Sequence, residues 1–232
     1  MAVPVEALDP AARLAAVRGL AAALERAALP GVTDVVSSPG RVTAIYDPLQ
    51  ITGHEALRTR IEAVVASAEA AVVGLADRHE LPVCYGDDLG PDLDEVCAAH
   101  ALDRDRFVEL HTGADYVVEA LGFLPGFGYL AGLPARLATP RRATPRRVVP
   151  AGSVGIGGGQ TGAYPCASPG GWNLVGSTPA RLFDASRPRP ALFAVGDRVR
   201  FLAIERAAYD RLHAVAPPEQ VSLPAGRGSI IV

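Results

Sequence analysis

Between residues 10 and 28 apolar side chains return every three or four positions: Leu14, Val17, Leu20 or Ala21, Leu24 and Ala28. Arg13, Arg18, Glu25 and Arg26 fall elsewhere on the turn, so the spacing predicts an amphipathic helix that Pro30-Gly31 stops. The pattern then becomes β-prone, with strands predicted at Val32–Val36 and Arg41–Tyr46. Ser37-Ser38-Pro39-Gly40 joins them, placing Pro and Gly where a type II turn wants them. Helical spacing resumes from Thr52, which with Glu55 forms a capping-box pattern ahead of the stripe Leu57, Ile61, Val64 or Val65 and Ala68. A further strand is predicted at Ala70–Leu75, leading to Leu81–Tyr85.

The resulting order, α-β-β-α-β, is that of a ferredoxin-like unit whose first strand is absent or very short. Gly86-Asp87-Asp88-Leu89-Gly90-Pro91 punctuates the chain and marks the expected end of this first domain, residues 1–85. Two short helices follow, with Asp92 and Asp103 as N-caps and Glu95 at the capping-box position of the first. From Tyr116 the runs VVEALGF, RRVVPAG, SVGIGG, WNLVG, ARLF and VRFLAI alternate with turn signals. Such spacing predicts a small closed or nearly closed barrel in a second domain, residues 86–215, with a short helix at Glu205–Ala214. The fold class is therefore α+β. The tail, residues 216–232, ends in Ser229-Ile230-Ile231-Val232, suited to an edge strand or to a partner.

Composition narrows the function classes. A chain of 232 residues suits one large domain or two small ones. A net charge of −3 supplies no general attraction to nucleic acid or anionic membrane. No apolar run approaches the roughly 20 residues needed to span a bilayer, and the N-terminus lacks a signal-peptide pattern. The expected setting is cytoplasmic. Cys84, Cys97 and Cys166 are odd in number and far apart, which reads as small core residues rather than a metal site or a disulfide framework.

The candidate chemistry concentrates between Gly122 and Gly176. Ala138-Thr139-Pro140-Arg141-Arg142 is followed at once by Ala143-Thr144-Pro145-Arg146-Arg147. Proline should hold this run extended, displaying guanidinium forks suited to carboxylate or phosphate. A basic, edge-protecting strand is the competing reading. Gly155-Ile156-Gly157-Gly158-Gly159-Gln160-Thr161-Gly162 resembles a phosphate-cradling loop but lacks the closing Lys-Ser/Thr and a following helix. Its glycines mark either an anion nest or close backbone approach in a barrel. His54, His79, His100, His111 and His213 show no ligand spacing, and His111 reads as a packed group. Nothing forms a complete active site, as expected of a subunit that shares its site with a partner.

These segments carry a resemblance. Leu81–Gly86, Gly90–Val96, Glu109–Thr112, Gly122–Leu130, Arg136–Arg142, Val149–Gly155, Gln160–Gly162, Tyr164-Pro165, Ser168–Trp172, Gly176–Pro179 and Gly196–Phe201 follow one another in the order of a known family. The chain resembles the subunit 1 family of allophanate hydrolase-like proteins, of the carboxyltransferase-domain subdomain C and D type. That family includes the kinase inhibitor KipI, the B component of bacterial 5-oxoprolinase (PxpB), and half of the carboxyltransferase domain of urea carboxylase. Two departures are visible. The opening VPVEALDPAARL lacks the family's usual first strand, and Gly128 and Gly159 stand where Pro or Ala, and Asn, are frequent.

The resemblance implies an N-terminal ferredoxin-like α/β domain followed by a cyclophilin-like β-barrel. It implies a PxpB-type component, inactive alone, of an ATP-hydrolysing 5-oxoprolinase that opens 5-oxo-L-proline to L-glutamate. The implied partners are a PxpC-like (allophanate hydrolase subunit 2-like) protein and a PxpA-like protein. ATP would be a co-substrate of the complex, held on this chain or on another, with no biotin or metal on this chain. A KipI-like inhibitor of a sensor histidine kinase and a urea carboxylase-type carboxyltransferase subunit are the alternatives. For the lactam chemistry the candidate catalytic residues are Gln160, Thr161 and Arg142. Arg141, Arg146, Tyr164, Trp172, Phe123 and Phe127 are the candidates for binding substrate or anion.

Overall fold

The computed structural model describes residues 2–4, 10–69 and 77–215. A strand does open the chain: β1, Ala2–Pro4, pairs antiparallel with β3, Arg41–Tyr46, in the register Ala2↔Thr43, Val3↔Val42, Pro4↔Arg41. Sequence reasoning misses it because three residues ending in Pro carry no alternation to detect. Helix α1, Pro10–Ala27, follows, then β2, Val32–Ser38, forms the hairpin with β3. The hairpin turn at Pro39-Gly40 has Gly40 at φ 68, the positive φ a type II turn requires. The three strands lie in the order β1-β3-β2. Val17, Leu20 and Leu24 of α1, with Leu57 and Ile61 of α2, His54–Ser67, bury the apolar side of this sheet around Val42 and Ala44. The capping box at Thr52 does not form. Gly53 is the N-cap, without a side-chain bond, because the helix begins one position later than the pattern suggests. The strand expected at Ala70–Leu75 and the tail lie outside the described residues.

The strand expected at Leu81–Tyr85 is the end of β4, Arg78–Tyr85, and it belongs to the barrel rather than to the first unit. The remaining staves are β5, Tyr116–Leu121; β6, Gly128–Ala131; β8, Ser153–Gly157; β9, Gln160–Ala163; β11, Asn173–Ser177; and β12, Arg198–Ala203. They close in the order β11-β4-β12-β5-β6-β9-β8. One pairing is parallel, β12 on β4, from Arg198↔Arg78 to Ala203↔Val83. Two further strands, β7 (Arg146–Val149) and β10 (Ser168–Gly170), pair outside the barrel.

Leu81, Val83, Val118, Leu130, Ile156, Val175 and Phe201 fill the barrel. Leu93, Val96 and Phe107 join them from α3, Leu93–Ala99, and α4, Arg104–Thr112. Asp103 caps α4 as expected, its carboxylate accepting from the Arg106 N–H at 2.7 Å. The last helix, α5, Arg206–Val215, docks through Tyr209, whose hydroxyl lies 3.0 Å from the Ser177 hydroxyl. All three cysteines are buried and free, and burial pushes their thiols up, away from reactivity. No helix among the described residues is long and apolar enough to cross a membrane.

Candidate functional site

The stretch of Gly157-Gly158-Gly159-Gln160 is a β-hairpin turn between β8 and β9, not a phosphate loop. Gly157, and Gly162 further along β9, serve the outer face of the barrel. A Cβ on Gly157 would sit 2.4 Å from the Trp172 indole nitrogen, and one on Gly162 would meet Phe127 and Trp172 at 3.2 and 3.3 Å. The absent side chains flatten the sheet so that aromatic rings can lie against it. Phe127 is the hub, edge-on to Tyr129 at 4.9 Å, Tyr164 at 5.3 Å and Trp172 at 5.4 Å between ring centroids. Such edge-to-face pairs each contribute about 0.5–1.5 kcal/mol beyond burial.

Above this cluster runs a groove of about 280 Å³ that brings together six of the nine candidate residues: Phe123, Phe127, Arg141, Arg142, Tyr164 and Trp172. Phe123 is held on its rim by an unusual turn. The Leu124 N–H donates to the Gly122 carbonyl at 2.8 Å, with Phe123 between them at φ 68. That is a γ-turn of the positive-φ kind, a rare and strained conformation. Phe123 is 55% exposed. Burial holds the Tyr164 phenol up, to about 12, opposed by the Trp172 backbone N–H and by Arg141. Burial raises Tyr129 as well, again opposed by Arg141. Both phenols are therefore neutral near pH 7 and keep their O–H as donors.

The arginines divide into two kinds, and Asp92 divides them. It sits at the N-cap of α3, as the sequence suggests, but makes no capping bond with its side chain. Its buried carboxylate instead accepts from Arg142 Nη1 at 2.9 Å, from both terminal nitrogens of Arg146 at 2.8 and 2.7 Å, and from the Leu174 N–H at 2.7 Å. Arg142 thus touches the groove while anchored behind it, and Arg146 is withdrawn into the anchor. Arg141 is exposed, lines the groove, and has no ion pair among the described residues. The extended display of all these cations expected from the Pro-Arg repeat is therefore confined to Arg141 and Arg147, both exposed.

Gln160 and Thr161 do not join the groove. On β9 they are neighbours, so they face opposite sides of the barrel wall. Thr161 is fully buried and bonds inward, its hydroxyl donating to the Gly155 carbonyl at 3.0 Å and lying 3.1 Å from His111 Nε2. His111, stacked 4.5 Å from Phe201, also meets the Tyr85 hydroxyl at 2.8 Å. Desolvation lowers its pKa to about 3, so it is a neutral packed group, as the sequence indicates. Gln160 lines a different cleft, its Nε2 donating to Glu119 at 3.2 Å. Sequence reasoning misses Asp92 as an anchor, and it misses Glu119 altogether. The only signal for Glu119 is a single acid inside the apolar run VVEALGF.

The family model for the carboxyltransferase domain, subdomain C and D, matches residues 2–193. The chain is 38% identical over 202 residues to the 5-oxoprolinase B subunit of Bacillus subtilis, covering 83% of this chain and 84% of that protein. It is 54% identical over 123 residues to the Escherichia coli O157:H7 protein of the same name, covering 53% of this chain and 56% of that one. The crystal structure of TTHA0988 superposes with a TM-score of 0.69 at 37% identity, over 88% of this chain and 39% of that longer chain. Urea carboxylase from Kluyveromyces lactis superposes with a TM-score of 0.74 at 20% identity, over 90% of this chain and 21% of that one, a likeness of fold.

Proposed function

The chain belongs to the carboxyltransferase domain, subdomain C and D, family, and from that premise we propose that it is the B component of an ATP-dependent 5-oxoprolinase. The observation carrying this reading is the match, along most of both chains, to a protein of that name. In this reading the chain works in the cytoplasm with PxpC-like and PxpA-like proteins, and is inactive alone. Its N-terminal unit is ferredoxin-like, supported by the β1-β3-β2 order, and its barrel is cyclophilin-like.

The reaction must activate an unreactive lactam. Transfer of the γ-phosphoryl group of ATP to the lactam oxygen releases ADP. Water then adds to the ring carbon and the C–N bond breaks, leaving an acyl phosphate and a free amine, and a second water displaces phosphate to give glutamate. Such chemistry needs a cation for phosphate or carboxylate and neutral donors for a developing oxyanion. Arg141 supplies the first and the protonated Tyr129 and Tyr164 the second, on a floor of Phe127 and Trp172. The groove is open on one side, which suits completion by a partner. Co-purified components given 5-oxo-L-proline and ATP should release glutamate and ADP, and the chain alone should release neither. A full set of components that yields no glutamate and no ADP refutes the reading.

A further inference from the structure

A second cleft, of about 360 Å³, opens between the N-terminal unit and the barrel. Its polar lining is Arg13 from α1, Glu119 from β5 and Gln160 from β9. Gly40, Gly132 and Gly159 form its low rims. Glu119 is only 5% exposed. A charge is rarely buried unless it is paired. Arg13 Nε donates to one carboxylate oxygen and Gln160 Nε2 to the other. A carboxylate oxygen can accept from more than one donor. Among the described residues, no hydrogen bond uses the terminal nitrogens of Arg13 or the side-chain oxygen of Gln160.

The charges of Arg13 and Glu119 cancel, so the cleft presents donors beside acceptors without net charge. A free carboxylate or phosphate would meet Glu119, and a free cation would meet Arg13. An uncharged amide suits both. A small lactam suits them best, because its ring forces the amide cis and sets N–H and C=O along one edge. A trans amide splits the two across the bond. We propose that this cleft binds the cyclic amide of a small molecule, with Glu119 accepting its N–H and Arg13 and Gln160 donating to its carbonyl. This cleft is separate from the aromatic groove, where the 5-oxoprolinase reading places turnover, and its amide chemistry does not depend on that reading.

Titration of the isotopically labelled full chain with three probes tests this by NMR. 2-Pyrrolidone has the lactam without the carboxylate, 5-oxo-L-proline has both, and L-proline has the carboxylate without the lactam. Both lactams should saturably shift the backbone amides of Gly40, Gly132 and Gly159, and L-proline should not. Glu119→Gln should weaken lactam binding about ten-fold by removing a charged acceptor. Gly159→Leu should block it with the fold intact, since a Cβ there meets nothing within 4 Å. The proposal is overturned by shifts that do not saturate, by equal response to L-proline, or by shifts at Trp172 instead. Wild-type affinity in Glu119→Gln would also overturn it and leave the Arg13–Glu119 pair as a clamp between units. No turnover by the assembled components, with lactam shifts present, refutes the 5-oxoprolinase reading alone. Turnover without lactam shifts in this chain refutes the cleft alone.

Discussion

With its buried carboxylate shared among Arg142, Arg146 and the Leu174 amide, Asp92 leaves Arg141 as the cation facing the aromatic groove. The two kinds of arginine should respond oppositely to substitution. Arg146→Ala removes a two-pronged bond from a buried charge and should cost about 2–3 kcal/mol of stability. Arg141→Ala should leave the urea midpoint unchanged and weaken substrate or partner binding. Urea titrations beside affinity measurements separate them, and equal stability losses would contradict the division. The arginine cluster is legible in the sequence, but its partner is not. Asp92 stands 50 residues before Arg142, and in a sequence a residue of that kind at a helix start reads as a cap. The pairing of Gln160 with Thr161 fails for a simpler reason. Adjacent residues of a strand point to opposite faces, and the glycine-rich context reads as a loop.

At the level of elements, the loop joining β5 to β6 holds Phe123 in a strained turn and exposes its ring. Strain of this kind costs about 1–3 kcal/mol for a non-glycine residue. Phe123→Gly relieves it while giving up the edge contacts to Phe127 and Tyr164. The variant should stay within about 1 kcal/mol of the parent, where removal of a packed Phe costs about 3–5 kcal/mol. Co-purification with the partner protein should nevertheless fall. A loss of several kcal/mol in thermal or urea unfolding would mean that the turn serves packing alone. Most elements are readable because their apolar periods are clear, including α1, the β2–β3 hairpin and the β-prone runs after Tyr116, except ARLF, which forms no strand and only an isolated bridge from Phe183 to Ala191. Membership is harder to read than existence. The β4 pattern fits either unit, and only its pairing with β11 and β12, far along the chain, assigns it to the barrel.

For the whole molecule, the buried His111 couples stability to acidity. Its pKa is about 3 when folded and should return to about 6.5 when unfolded, so the unfolded chain binds the extra proton between those values. Stability should therefore fall as pH drops below 6.5, by up to about 1.4 kcal/mol per pH unit from this residue. Between pH 7 and pH 5, His111→Gln should lose about 2 kcal/mol less than the parent in urea titrations, and matching losses would exclude the coupling. The parallel pairing of β4 with β12 has a consequence for biosynthesis. Arg78 must wait for Arg198, so the barrel stays open until nearly the whole described chain has left the ribosome. Contacts so distant in sequence make closure slow, and the unpaired edge of β4 is meanwhile free to join other chains. A nascent chain stalled before Arg198 should remain protease-sensitive and aggregate, whereas one released beyond Val215 should not. Equal protease resistance of the two would show that closure does not depend on β12.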